Sequence, residues 1–292
     1  MQKRANFILL IVTMFWGSSY LFMRMGLATI QEYNLIALRF GIAFLLAAAI
    51  FPHHLRQLDW KTVRYAFILG LILLFVFIFI MSGIKLTSTS NAAFLVSLTV
   101  IFVPVLSSLV LKKRPSTQLL LGVSLAVIGV GLLTLNHQLT INVGDGLCIA
   151  GALMYAIHII VTEKLTKNVD SLMLGIAQLG FTGVLGLFLA FYLEIPRFPA
   201  TQLEWFSVLA LSILCSAIGF IGQTVAQKHT TSTNTGLIFA LEPVFAALLS
   251  FLAFGETLSI QGMIGAILIL FGVIYPQLAN REPNTDQLGV QE

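Results

Sequence analysis

The stretch Thr235–Glu256, TGLIFALEPVFAALLSFLAFGE, is apolar almost throughout, yet it carries Glu242 followed at once by Pro243 near its middle. A segment of this length matches a bilayer core of about 30 Å, which a helix crosses in roughly 20 residues. A helix starting near Thr233 places Glu242 about 13 Å from that end at ~1.5 Å per residue, close to mid-bilayer. A charge there costs roughly 2.5–3.5 kcal/mol on insertion scales, so the carboxylate must face protein or water. Pro243 has no amide hydrogen and frees the carbonyl of Phe239. That acceptor also needs a partner or a cavity. Both residues point to one place, an irregular membrane helix that lines a polar space. In a continuous helix, Asn234, Thr235 and Glu242 form a polar stripe on one face.

The rest of the chain is of the same kind. Apolar residues make up 58% of its 292 positions and charged residues 10%, against about 25% charged in a soluble domain. Too little polar surface remains for a water-soluble protein of this size, so the chain reads as integral membrane. Ten segments qualify as spans: 6–28, 34–51, 65–84, 90–111, 117–135, 145–162, 172–193, 205–226, 233–254 and 259–279. The start, MQKRANFILLIVTMF, mimics a signal peptide, but no convincing cleavage site follows, and it reads as an uncleaved first helix. The tail 281–292 reads as disordered and cytoplasmic.

The net charge of +4 is explained by topology rather than by nucleic acid. With the N-terminus in the cytoplasm, twelve Lys and Arg residues fall inside: Lys3, Arg4, Arg56, Lys61, Arg64, Lys112, Lys113, Arg114, Lys164, Lys167, Lys228 and Arg281. Arg24, Lys85 and Arg197 fall outside. That bias is the positive-inside pattern, and with ten spans both termini are cytoplasmic.

An internal repeat organises these spans. TSTSNAAF (Thr87–Phe94) resembles TTSTNTGL (Thr230–Leu237), and the same offset of 143 superposes Asn91 on Asn234, Gln118 on Gln261, Gly122 on Gly265 and Gly129 on Gly272. Earlier helices match at an offset of 139: Trp16 with Tyr155, Gly17 with Ala156, and Arg39 with Gln178. The chain therefore divides into five-helix repeats at 5–136 and 145–280. Five is odd, so the second repeat enters the membrane from the opposite side. The expected fold is an all-α bundle of ten transmembrane helices in a 5+5 inverted-topology repeat. Such symmetry suits alternating access, in which one half rocks against the other around a central site.

Candidate cavity residues are Trp16, Ser19, Tyr20, Asn91, Tyr155, His158, Gln223, Asn234 and Glu242. Glu242 either clamps helices by hydrogen bonds or takes a direct part in transport. If it titrates, it can couple proton movement to transport. Arg39, inside the second span, either pairs with Glu242 or an anionic substrate group, or snorkels to the surface. Trp16 is either packed core or a stacking wall, and a membrane histidine such as His158 is more often a helix contact than a proton carrier. Pro104 and Pro243 shape their helices. Cys148 and Cys215 sit in apolar runs and form no zinc or disulfide pattern. No Walker A motif, metal-ligand spacing or cofactor motif is present. His54 and Asp59 make an H-x4-D, which a basic loop explains better than acyl-transfer chemistry.

These residues resemble the drug/metabolite transporter superfamily, and within it the ten-helix EamA-type transporters. The resemblance covers about residues 5–280. It is carried by FWGSSY (Phe15–Tyr20), ALRF (Ala37–Phe40) and ALEPVFAALLSFLAFGETLSIQGMIGAILILFGV (Ala240–Val273). Within the last, Glu242, Pro243, Gly255, Glu256, Gln261, Gly265 and Gly272 match the EP…GE…Q…G…G signature. The resemblance implies a central cavity and secondary transport, often export, of small molecules such as amino acids, sugars, nucleosides or drugs. The first repeat departs from the signature: Thr99 stands at the place of Glu242, Lys113 at that of Glu256, and Pro104 is offset from Pro243. A symmetric paired-acid mechanism is therefore not expected.

The expectation is a multi-pass protein of a prokaryotic plasma membrane, a monomer or homodimer, that exports a small organic metabolite such as an amino acid or drug-like compound. A proton or another ion is the candidate coupling partner, and no cofactor, metal or nucleic acid is implied. The competing reading is a polytopic membrane enzyme or lipid-acting protein without transport activity, which would require a catalytic cluster at one membrane face. A structural or sensory subunit would require a soluble module, for which the loops are too short.

Overall fold

A computed structural model describes residues 1–55, 58–87, 89–111, 116–134, 142–254 and 259–279. The side chain of Asn91, and all of Arg56, Lys112, Lys113, Arg114, Gly255, Glu256 and the 281–292 tail, lie outside the described residues.

Every long element among them is helical. We number ten: α1 (Gln2–Gly17 and Ser19–Leu27), α2 (Glu32–Ile50), α3 (Trp60–Leu86), α4 (Thr89–Ser97 and Thr99–Leu111) and α5 (Thr117–Thr134). The second five are α6 (Val143–Thr166), α7 (Ser171–Leu193), α8 (Gln202–Gln227), α9 (Ser232–Phe239 and Glu242–Phe254) and α10 (Ile260–Ala279). Eight, α1–α4 and α6–α9, are long and apolar enough to cross a bilayer, while α5 and α10 carry shorter apolar stretches, Thr117–Leu132 and Ile260–Pro276. Several helices begin before the apolar window does, because polar caps hold their first turns. Asp59 accepts from Thr62 N, Asp170 from Met173 N, and Asn142 and Asp145 cap each other reciprocally. The cap role of Asp59 accounts for the H-x4-D without catalysis.

Four of the ten elements are irregular. α1 breaks at Ser18, whose hydroxyl donates to Phe15 O. α4 breaks at Leu98, and α9 breaks at Ala240–Leu241. These last two breaks coincide at the repeat offset of 143. Within α8, Leu211–Ile218 is wound as a π-helix, a form that concentrates at functional positions. The expectation of one continuous helix through Glu242 is thus corrected. Ala240 N and Leu241 N bond three residues back, to Leu237 O and Ile238 O, and a new helix starts at Glu242. Pro243 sits in the first turn of that helix, where a missing N–H costs nothing. Pro104 lies inside the second part of α4 rather than at its break. The break at Leu98 is followed by Thr99, whose hydroxyl lies 2.7 Å from Val96 O and 3.3 Å from Ala152 O.

The packing has an exchange symmetry. α5 lies on α10, α2 on α7, and α4 on α9. α1 packs on α8 and α9, α2 on α8; correspondingly α6 packs on α3 and α4, α7 on α3. Exchanging each helix for the one five places away leaves this pattern unchanged. The closest approaches to backbone atoms obey the same exchange. A Cβ on Gly129 would lie 2.6 Å from Gly265 O, and one on Gly272 would lie 2.6 Å from Gly122 O. Likewise Gly183 presses on the Gly41 backbone and Gly180 on the Phe44 ring. Glycine is required at such points because only bare backbone permits this separation.

One end of the bundle is strapped by polar contacts. Tyr33 N and Asn34 N, at the start of α2, donate to the Glu194 carboxylate at 3.0 and 2.8 Å. Arg197 reaches both Glu204 carboxylate oxygens and Thr29 O. Together these bonds tie the α7–α8 connection to the α1–α2 connection. Burial holds the Glu194 carboxyl above its ordinary range, against the opposing pull of the two N–H groups. The hydrogen bond to Glu204 raises the Arg197 guanidinium.

Candidate functional site

The break in α9 aims the start of a helix at the middle of the bundle, with Glu242 in its first turn. An acidic side chain is favoured there by the helix dipole. Gly17 lets α1 approach this turn closely: its missing Cβ would lie 2.8 Å from Ala246 N and 3.1 Å from Glu242 O. The turn at Ser18 then presents Trp16, Ser19, Tyr20 and Met23 to the same space.

That space is a cavity of about 30 Å³. Its polar wall consists of Ser19, Tyr20, Arg39, Tyr155 and Glu242, and its apolar wall includes Trp16, Phe77 and Phe220. A smaller void of about 10 Å³ lies beyond Glu242, against Thr99, Tyr155 and Phe239. Glu242 therefore faces both. Pockets for drug-sized ligands measure roughly 300–1,000 Å³, so this space is too small for such a ligand in this conformation.

The walls are held from behind. The Trp16 indole N–H donates to Cys215 O at 2.7 Å, in the π-wound part of α8, and its ring fits against Gly219. Trp16 packs on Tyr155 (5.8 Å between ring centres), Phe220 (5.0 Å) and Phe239 (4.9 Å). The repeat superposes Trp16 on Tyr155, and here the two rings meet. Arg39 is 1% exposed, so it does not snorkel to the surface. Its Nε donates to Ser216 Oγ at 2.7 Å, also in the π-wound segment. Its guanidinium lies 4.3 Å from the Phe77 ring centre and 5.2 Å from that of Phe40. Its Nη1 is buried and has no hydrogen-bond partner, and neither has the Tyr155 hydroxyl. Arg39 and Glu242 share the cavity, but they are not among the ion pairs closer than 4.0 Å, which for the described residues are Lys85–Glu32, Lys167–Glu163 and Arg197–Glu204.

Of the nine expected cavity residues, the structure brings five together: Trp16, Ser19, Tyr20, Tyr155 and Glu242. Arg39 joins them. Three others lie elsewhere. His158 is fully buried in a contact between helices, 3.1 Å from Gln178 Oε1. Gln223 is spent on Gln227. Asn234 donates to Asn6 Oδ1 and Thr230 Oγ1 near the start of α9. The break at Ala240–Leu241 lies between Asn234 and Thr235 on one side and Glu242 on the other, and Asn234 and Thr235 are not among the residues that line the cavity. Phe77, Phe220 and Ser216 escaped the sequence reading. The first two sit in apolar runs with no polar neighbour to mark them. Ser216 carries a usable signal, since the offset of 139 superposes it on Phe77, and both contact Arg39.

Comparison with known proteins agrees with this architecture. The sequence profile of the EamA-like transporter family matches twice, over residues 3–135 and 142–275. A relative from Archaeoglobus fulgidus, named only as an uncharacterized transporter, is 26% identical over 287 residues, covering 94% of this chain and 97% of its own. The uncharacterized transporter YyaM of Bacillus subtilis is 25% identical over 294 residues, with 94% of each chain covered. A crystal structure without a functional title superposes with a TM-score of 0.81 at 20% identity, over 98% of this chain and 100% of its own; at that identity it speaks to the fold alone.

Proposed function

Because the chain belongs to the EamA-like transporter family, and is thus a multi-pass membrane transporter, we propose that it is a secondary-active exporter of a small zwitterionic metabolite such as an amino acid. The observation that carries this reading is Arg39 Nη1, a buried cationic donor without a partner, on the cavity wall it shares with Glu242. A buried charge is tolerated when paired, and a substrate that brings both signs satisfies both residues. Its carboxylate binds Arg39 Nη1 and the Tyr155 hydroxyl, its ammonium binds Glu242, and its side group lies against Trp16 and Phe220.

Transport proceeds by alternating access between two inverted five-helix repeats, with both termini cytoplasmic. The exchange symmetry of the packing supports the two-fold relation, and the paired breaks in α4 and α9 supply points of bending. The glycine contacts of α5 with α10 act as the fixed scaffold. The proton is the coupling ion: Glu242 carries either a proton or the ammonium of the substrate, so loading one releases the other. Thr99 holds the equivalent place in the first repeat, so this exchange happens once per molecule.

The test is uptake of labelled zwitterionic, anionic and cationic metabolites into proteoliposomes, with and without a pH gradient. Uptake of zwitterions above empty liposomes, stimulated by the gradient, is the expected result. Uptake confined to anions or to cations contradicts the Arg39–Glu242 assignment, and no uptake of any class contradicts transport of small charged metabolites.

A further inference from the structure

The cavity is not centred along the bundle. Successive spans alternate in direction, so α1 and α3 run the same way and α4 runs against them. The lining residues of α1 and α3, Trp16 to Met23 and Val76 to Ile80, fall in the later halves of those helices, and Val96 falls in the earlier half of α4. With the end where α1 begins called the near end, the cavity lies toward the far end. The near side is closed in steps. Trp16 packs on Phe220 and Phe239. The first part of α9 then lies on the second part of α4, where a Cβ on Gly236 would be 3.2 Å from Val103 Cβ. Beyond that, Ser107 Oγ and Ser232 Oγ are 3.1 Å apart, and Asn234 donates to Asn6. The reverse pairing, the first part of α4 on the second part of α9, is much slighter.

The first part of α9, Ser232–Phe239, is thus a short arm that ends at the break Ala240–Leu241. Its start is held by Glu163, near the end of α6. Ser232 N donates to Glu163 Oε2 at 2.6 Å. A backbone N–H in the first turn of a helix bonds a carboxylate strongly, because the acceptor is charged and the helix dipole favours it. The other carboxylate oxygen takes Lys167 Nζ at 3.1 Å, but the Lys167 side chain is 57% exposed, and an exposed ion pair contributes little.

The repeat makes this bond one-sided. The offset of 139 superposes Asn6 on Asp145 and Arg24 on Glu163; the offset of 143 superposes Thr87 on Thr230 and Thr89 on Ser232. At the near end Asn234 joins Asn6 to Thr230. At the far end their counterparts meet directly, with Thr87 Oγ1 donating to Asp145 Oδ1 at 2.6 Å. That link is present at both ends. The Glu163 link has no such counterpart, because an arginine carries only donors and Arg24 cannot accept the N–H of Thr89.

We propose that Glu163 is the latch of a near-side gate: its bond to Ser232 N holds the arm Ser232–Phe239 shut against α4, and release of that bond lets the arm swing at Ala240–Leu241 and opens the near end. Since the far end lacks the equivalent acceptor, the molecule rests closed at the near end, the cytoplasmic side in the topology proposed above. The inference rests on the alternating-access reading, but not on the substrate, the coupling ion or the direction of transport.

The test is thiol labelling of the purified full chain in lipid nanodiscs by a small water-soluble methanethiosulfonate, without substrate or gradient. Val103→Cys reports on the near side and Ile80→Cys, on the cavity wall, on the far side; the parent chain, whose Cys148 and Cys215 are buried, gives the background. Ser232→Pro removes the N–H that Glu163 accepts. It suits the position, since Ser232 is the first helical residue and Thr231 before it is extended at φ −89° and ψ 154°. Ser232→Ala removes the hydroxyl alone. We expect Ser232→Pro and Glu163→Ala each to speed labelling at Val103→Cys about 10-fold or more, the effect of losing one hydrogen bond to a charged group, with no rise at Ile80→Cys. Ser232→Ala and Lys167→Ala should stay within about 3-fold of the parent. The double variant Ser232→Pro/Glu163→Ala should label no faster than either single one, because both remove the same bond. Unchanged labelling in Ser232→Pro overturns the latch, and so does an equal rise in Ser232→Ala or Lys167→Ala. If Glu163→Ala loosens the whole bundle, seen as equal rises at both reporters, Ser232→Pro alone decides. The readout needs no transport, so a failed latch is distinguishable from a failure of the transport reading, which the uptake assay tests.

Discussion

Gly129→Ala and Gly272→Ala test whether α5 and α10 are locked by backbone contact. A methyl group at Gly129 meets Gly265 O at 2.6 Å and Ile269 N at 2.8 Å; at Gly272 it meets Gly122 O at 2.6 Å and Ala126 N at 2.9 Å. Carbon needs about 3.5 Å, so each substitution forces the helices roughly 1 Å apart at that point. The obstacle is backbone, which cannot rotate away as a side chain can. A gap of that size forfeits a quarter to a half of each contact's attraction around it, and overpacking of this kind costs about 1–3 kcal/mol. Gly41→Ala and Gly146→Ala are the controls, because a methyl at either position meets nothing within 4 Å. They should be neutral or stabilise by up to ~1 kcal/mol through helix propensity. The assay is denaturant unfolding of the purified protein in nanodiscs. Both scaffold variants should lose stability, and Gly129→Ala the more, because its methyl also meets Ile269 Cγ1 at 2.8 Å where that at Gly272 meets Ala126 Cβ at 3.3 Å. Scaffold and control variants of equal stability would refute the close-contact reasoning. Loss of stability in one scaffold variant and none in the other would contradict the two-fold relation.

Other predictions concern the cavity and the strap. Ser216→Ala removes the partner of Arg39 Nε; a hydrogen bond to a charged group contributes about 1.5–3 kcal/mol, so zwitterion affinity should fall ~10-fold or more in competition binding. Glu242→Gln should abolish gradient-driven uptake and retain exchange of substrate for substrate only with weakened affinity, because the neutral amide no longer pairs with the ammonium; equal gradient-driven uptake by variant and wild type rules out a proton role. Glu194 has a folded-state pKa raised above the ordinary 4.5, so the folded state holds its proton more tightly. The stability it contributes is complete below about pH 4.5 and is lost as pH rises through the raised value. Melting curves between pH 4 and pH 7 should show this decline in the wild type and not in Glu194→Gln.

Some of this molecule was written locally in the sequence and some was not. The spans were legible because burial in lipid demands unbroken apolar runs, and the glycines of α5 and α10 stood out because backbone contact tolerates nothing else. Glu242, Trp16 and Arg39 were conspicuous for the cost of placing them mid-span. The site's exact membership was harder to read. Pro243 signalled irregularity, but a proline in the first turn of a new helix and a proline kinking a continuous one look alike in sequence. That ambiguity hid from the sequence that Asn234 bonds Asn6 and Thr230 near the start of α9. His158 and Gln223 share the polarity of cavity residues, yet their Nε2 atoms are turned to Gln178 and Gln227. The π-wound turn in α8 that fastens both Trp16 and Arg39 has no sequence signature, since its residues, LSILCSAI, suit an ordinary helix equally well.

The central claim, that one cavity reads both charges of its substrate, is tested most directly by competition in proteoliposomes. For whichever amino acid is transported, its N-acetyl and its carboxamide derivatives are compared with the parent as inhibitors of uptake. Removing the ammonium deprives Glu242 of its partner, and removing the carboxylate deprives Arg39 of its own. The account predicts that both derivatives inhibit at least ~10-fold more weakly than the parent, each loss exceeding 1.4 kcal/mol. Inhibition by either derivative equal to that of the parent would mean that the corresponding residue does not read the substrate.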